Sequence, residues 1–194
     1  MRLSEVERGE GLFNRSLIAL ISRASGMRVP DAARVAFYHK DFFGGPLGAW
    51  TQAALRGPSA WSIGERELMA AMVAKWNTCP FCVGAHGAIA AKKISRERVD
   101  AALADHRAAG LTPGLTATLG FLEKQTRDAN GLRAEDAREV LRAGVTREAL
   151  TDAAAVGAVF NIVTRYANAL DFAMPTPDEF DRAGDMLLKR GYGS

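Results

Sequence analysis

The chain has 194 residues, of which 48 % are hydrophobic, with 25 basic and 22 acidic side chains and a net charge of +3. That is enough apolar material for a full core in one domain. The small, scattered charge excess contains no run of five Lys or Arg to serve as a nucleic-acid surface. No stretch reaches the ~18 apolar residues of a membrane span, and the first residues mix both charge signs, unlike a signal peptide; a cytoplasmic protein with no nucleic-acid or membrane partner is expected.

Taken in chain order, the hydrophobic pattern has helical period nearly throughout, and alternating strand-like runs are missing. A first helix is predicted over about 11–25 and a second over about 30–40. A third runs over about 47–55, after the Gly44-Gly45-Pro46 break. Ser62-Ile63-Gly64-Glu65 reads as a capping box opening a helix to about Trp76. Asn77-Thr78 breaks it, and Pro80 suits the first position of the next helix, which reaches about Lys93. Ser95 caps a helix to about Gly110, Thr112-Pro113 opens one to about Asn130-Gly131, and a short helix covers about 134–143. Thr146 caps a long one to about Phe172, and a last helix runs over about 178–190. With no repeat, linker or boundary, the expectation is one all-α, compact multi-helix domain over 1–194, with its chemical core at about 35–125. Residues before Gly26 and after Met174 read as arms that pack on the core or on a neighbour.

The two cysteines stand as Cys79-Pro80-Phe81-Cys82, followed by His86. A pair so close, in a chain with no other cysteine, points to thiol chemistry or a metal rather than a disulfide framework. With Pro80 as the first helical residue, Cys79 takes the N-cap, Cys82 the first turn, and His86 the same face one turn on. Free amides and the positive end of the helix dipole are expected to stabilise the Cys82 thiolate, and His86 to add charge or shuttle a proton. A thiolate attacks a peroxide to give a sulfenic acid, and a second thiol condenses with it to a disulfide. A thioredoxin-like site is disfavoured, because the segment before this pair is helical rather than a strand. Glu67, on the preceding helix, taken alone reads as a solvated charge. Ala70 and Ala71 one turn on allow close helix approach, which brings the carboxylate toward Cys79 or His86 as a proton acceptor.

The order Glu67, eleven residues, Cys79, two residues, Cys82, three residues, His86 resembles the signature of the alkylhydroperoxidase D and carboxymuconolactone decarboxylase superfamily. Glu67-Leu68-Met69-Ala70-Ala71 and Cys82-Val83-Gly84-Ala85-His86 are similar to its peroxidase-related branch, as is Phe160-Asn161-Ile162-Val163-Thr164-Arg165. The resemblance implies an alkylhydroperoxidase D-like helical fold assembled as homo-trimers or hexamers, with no metal or cofactor. It implies that Cys82 is the peroxidatic thiol, Cys79 the proton donor and resolving thiol, and Glu67 and His86 the relay. It implies a hydroperoxide substrate and a dithiol or lipoyl-type reductant. One place departs: where alkylhydroperoxidase D carries a histidine just before its second cysteine, this chain has Phe81.

Two other readings use the same residues. Cys79, Cys82, His86 and Glu67 supply four zinc-capable side chains, and the cysteine pair suits a non-enzymatic redox sensor. Elsewhere, His106 reads as a surface residue and His39 as a pocket candidate. Phe42, Phe43 and Trp50 read as core, and the stretch 153–163, apolar around most of its circumference, as a buried or interface helix.

Overall fold

A computed structural model describes every residue except 39, 40, 42, 43, 193 and 194; the readings of His39, Phe42 and Phe43 lie outside the described residues. Among them are eleven α-helices and no strand. The order is α1 (Ser4–Arg8), α2 (Gly11–Ser25), α3 (Asp31–Phe37), α4 (Gly45–Arg56), α5 (Ile63–Trp76) and α6 (Pro80–Lys93), then α7 (Arg96–Asp105), α8 (Pro113–Arg127), α9 (Ala134–Arg142), α10 (Arg147–Leu170) and α11 (Pro177–Arg190). A 3-10 turn, Ala129–Gly131, follows α8.

The cap signals do what their chemistry dictates. Ser62 accepts from the Glu65 amide while Glu65 accepts from the Ser62 amide. Ser95, Thr112 and Thr146 each accept an amide of their helix's first turn. A further capping box, Thr176 with Glu179, starts α11. Helix ends are less regular than periodicity implies. The α10 helix stops at Leu170 because Asp171 turns left-handed, at φ 57°. The short α1 carries too few residues to show a period.

Eleven of the fourteen residues of α5 are buried, which makes it the central helix of the fold. It packs against α6 most extensively, and against α4, α7, α8 and α10 around the rest of its circumference. Leu68, Met69, Met72 and Val73 of α5 join Leu119, Leu122, Val156 and Phe160 of α8 and α10 in the main core. On the other side of α6 lies α11. Gly84 permits this crossing: a Cβ there would stand 2.6 Å from the Phe180 ring. A smaller apolar cluster of Ala74, Cys79, Phe81, Cys82 and Ala167 forms where α5, α6 and α10 meet.

Two side chains differ from expectation. Trp50 is 42 % exposed rather than core, at a shallow surface depression it shares with Arg66 of α5 and Asp152 and Ala155 of α10. His106 is buried, edge-on to Trp76 with ring centroids 5.8 Å apart; it is the C-cap of α7, where the chain leaves that helix's charged face. Residues 153–163 bury Ala153, Val156, Val159 and Phe160 inside the chain's own core. No described helix is long and apolar enough to cross a membrane.

Candidate active site

The reactive pair is set by the turn between α5 and α6. Thr78 adopts φ 54°, a left-handed conformation that costs a β-branched residue about 1–2 kcal/mol. The long helix α10 clamps the turn. Asn77 Nδ2 donates to Asn161 Oδ1 and Thr164 Oγ1, both at 2.9 Å, and Asn168 Nδ2 donates to the Asn77 carbonyl at 3.0 Å. The Cys79 amide donates to the Ala74 carbonyl at 2.9 Å. Cys79 thereby becomes the N-cap of α6, with Pro80 in the first position.

Both cysteines are free thiols, and each is only 1 % exposed. The hydrogen bond from Cys82 lowers the Cys79 thiol to about 7, against the effect of burial, with help from the Cys82 and Phe81 backbone amides. Cys82, as that hydrogen-bond partner and more deeply buried, is pushed well above the ordinary thiol range. The direction of both shifts favours the thiolate on Cys79, whereas the sequence reading puts it on Cys82. The N-cap sulfur faces the unpaired amides of the first turn, whereas Cys82 lies within that turn and serves as donor. Phe81 packs edge-on against Phe172 at 5.1 Å and Phe180 at 5.9 Å. It seals the pair with apolar surface and carries no proton.

Glu67 is fully buried, not solvated. Its Oε2 lies 2.7 Å from His86 Nδ1 and its Oε1 2.7 Å from Arg56 Nη2. Burial alone raises its carboxyl, but the hydrogen bond and charge of His86, with those of Arg56, outweigh it and hold the group below the usual carboxylate range. An ionised Glu67 accepts from Nδ1–H, which leaves Nε2 of His86 as the basic nitrogen. The Tyr192 hydroxyl, from the segment after α11, donates to Glu67 Oε1 at 2.9 Å and Oε2 at 3.2 Å. The His86 ring is also edge-on to Phe160, 4.5 Å away.

Glu67 and His86 are thus brought together from adjacent helices, with His86 one turn beyond Cys82. Arg56 and Tyr192 were not foreseen. Arg56 ends α4, where a basic residue is ordinary, and Tyr192 sits 125 residues from its carboxylate partner. The zinc reading finds no support in the donor set. Both Glu67 oxygens are engaged by Arg56, His86 and Tyr192, and no group of three or more His, Cys, Asp or Glu among the described residues is arranged to hold a metal ion.

A cavity of about 490 Å³ opens beside the relay. Its walls include Phe81, His86, Phe160, Tyr166, Phe172 and Tyr192, so an apolar ligand of moderate size can approach the relay there.

No protein-family model and no curated protein matches the sequence. Solved structures do. An uncharacterized peroxidase-related protein from Silicibacter sp. TM1040 is 22 % identical, with a TM-score of 0.78 over 93 % of both chains. An uncharacterized peroxidase-related protein from Ralstonia eutropha JMP134, described as an alkylhydroperoxidase AhpD core, is 27 % identical, with a TM-score of 0.72 over 88 % of both. The debrominase Bmp8 in its apo form shares the fold at 18 % identity, with a TM-score of 0.66 over 93 % of this chain and 88 % of its own. The all-helical architecture and these neighbours give the chain the alkylhydroperoxidase D-like fold, which it shares with these peroxidase-related proteins.

Proposed function

We propose that the protein is a thiol-dependent peroxidase that reduces organic hydroperoxides through a Cys79–Cys82 dithiol–disulfide cycle, with Glu67 and His86 as proton relay. The observation that carries this reading is the juxtaposition of two free thiols at one helix start with a buried carboxylate–imidazole pair one turn on, beside an apolar cavity.

In the first step a thiolate attacks the terminal peroxide oxygen. The O–O bond breaks, sulfur becomes a sulfenic acid, and the departing alkoxide takes a proton and leaves as alcohol. In the second, the other thiol displaces hydroxide from the sulfenic sulfur, giving the disulfide and water. An external dithiol, free or lipoyl-borne, then returns two electrons and two protons. Cys82 is the attacking sulfur in this scheme because His86 stands one turn from it on α6. Its proton first crosses the hydrogen bond to the charged Cys79, which then acts as donor and resolving thiol. A homo-trimer or hexamer is the assembly the family resemblance implies, and the cytoplasm is the setting the sequence leads one to expect.

Single-turnover thiol counting tests the cycle. Reduced, reductant-free protein under nitrogen receives one equivalent of cumene hydroperoxide. Both thiols are expected to disappear; Cys82→Ser should leave the peroxide intact, and Cys79→Ser should trap a sulfenic acid on Cys82. Two thiols surviving beside intact peroxide would end the proposal. In the resting protein, iodoacetamide labelling of Cys79 should rise with pH through a midpoint of about 7.

A second reading has its own support. A neighbour of the same fold, at 16 % identity and a TM-score of 0.69, is a debrominase solved with 2,3,4-tribromopyrrole, and the aromatic walls of the present cavity suit a flat apolar ring. The same dithiol would then replace carbon-bound halogen by hydrogen, releasing halide and a proton and forming the disulfide. Halide release from a brominated arene, without peroxide consumption, would favour it.

A further inference from the structure

We infer that Tyr192 is a positioning residue of the relay, orienting the Glu67 carboxylate against His86. This rests on the peroxidase reading for its role in turnover, but its geometry stands independently. The chain turns back after α11 at Gly191, whose φ is +73° and where a Cβ would stand 2.4 Å from Gln52 Oε1. The positive φ is what favours glycine there; Gln52, a flexible side chain, could give way. The Tyr192 amide donates to the same Gln52 oxygen at 2.7 Å. The Arg56 guanidinium lies over the Tyr192 ring, 4.9 Å from its centroid, and the ring stacks on His86 at 6.0 Å. The hydroxyl arrives across both Glu67 oxygens and 3.4 Å from His86 Nδ1.

Arg56 holds Glu67 Oε1 and His86 meets Oε2, which leaves the carboxylate one partner on each oxygen. The hydroxyl spanning both oxygens holds Oε2 toward Nδ1, and so fixes which imidazole nitrogen carries the proton. Burial and the Glu67 charge raise the phenol well above its ordinary range, so it remains a donor. Tyr192 also lines the cavity, so whatever occupies that space touches the group that orients the relay.

The titratable and charged groups about His86 are Glu67 from α5 and Tyr192, both in polar contact with it, Arg56 from α4 through its pairing with Glu67, and Cys82 one turn back on its own helix. Tyr192→Phe keeps the ring and removes only the hydroxyl. With one donor gone, Glu67 becomes the more basic partner and holds the His86 proton more firmly. The ring-proton NMR titration of His86, assigned by His86→Gln among three histidines, should therefore move to higher pH. The single-turnover oxidation rate should fall several-fold to about tenfold, the scale of one hydrogen bond. Gln52→Ala, which frees the Tyr192 backbone, should move the titration the same way by less. An unmoved His86 midpoint in Tyr192→Phe would overturn the inference, whether or not the rate changed. A moved midpoint in a protein that consumes no peroxide would uphold it and refute the peroxidase reading instead.

Discussion

Helices α2 and α5 are of nearly equal length and both rich in apolar residues, yet their fates are opposite. The α5 helix is enclosed on every side and even buries Arg66 and Glu67. Arg66 answers to the Ala54 and Gly57 carbonyls, and Glu67 to Arg56, His86 and Tyr192. The α2 helix buries only Ile18 and presents Leu12 and Phe13 at 81 % and 79 % exposure. The contrast teaches that apolar content does not decide which helix is central. What decides it is whether the charged groups on the helix find partners once water is removed. The site grows from the helix whose charges are answered inside.

The sharpest way to break this comparison is to remove an answering group. Glu67→Ala strands the buried Arg56 guanidinium and should lower unfolding stability by about 3–5 kcal/mol in urea titration; a loss below about 1 kcal/mol would mean that water already reaches the pair. In the wild type the same contribution depends on pH. The folded carboxyl lies below its ordinary value of 4.5, so the stabilisation is complete above that value and declines as pH falls through the depressed folded one. Glu67→Gln should flatten this acid limb. A smaller effect is expected at the start of α5, where Ser62→Ala removes the cap and should cost about 1 kcal/mol by the same assay. The smallest belongs to α2. Leu12→Ser with Phe13→Ser should change stability by less than about 0.5 kcal/mol, and a larger loss would show that this face is covered in solution.

Most of the fold was legible because helix signals are local. Ser62, Ser95, Thr112 and Thr146 each mark a boundary through a bond to an amide three residues on, and Pro80 marks one through its fixed φ and missing N–H. The dithiol and His86 were legible for the same reason, being spaced along one helix. Glu67 was half legible: Ala70 and Ala71 predict a close helix neighbour, but no local feature announces that the carboxylate is dry. Arg56 and Tyr192 were not legible at all, since what makes them site residues is a turn at Gly191 and a crossing of α4 that exist only in three dimensions. The preference for the thiolate on Cys79 was hidden too, because it depends on which sulfur donates to the other.

The strained turn at Thr78 bears on how portable this motif is. The conformation that aims Cys79 at the α6 amides is imposed by Asn161, Thr164 and Asn168, some eighty to ninety positions further along the chain. A peptide or a redesigned helical hairpin carrying only Cys79 to His86 would relax that turn, let the two sulfurs drift apart in distance and erase the difference between them. The reactive unit is therefore the four-residue motif together with the remote asparagine clamp, and a transplant that omits the clamp should yield two ordinary thiols.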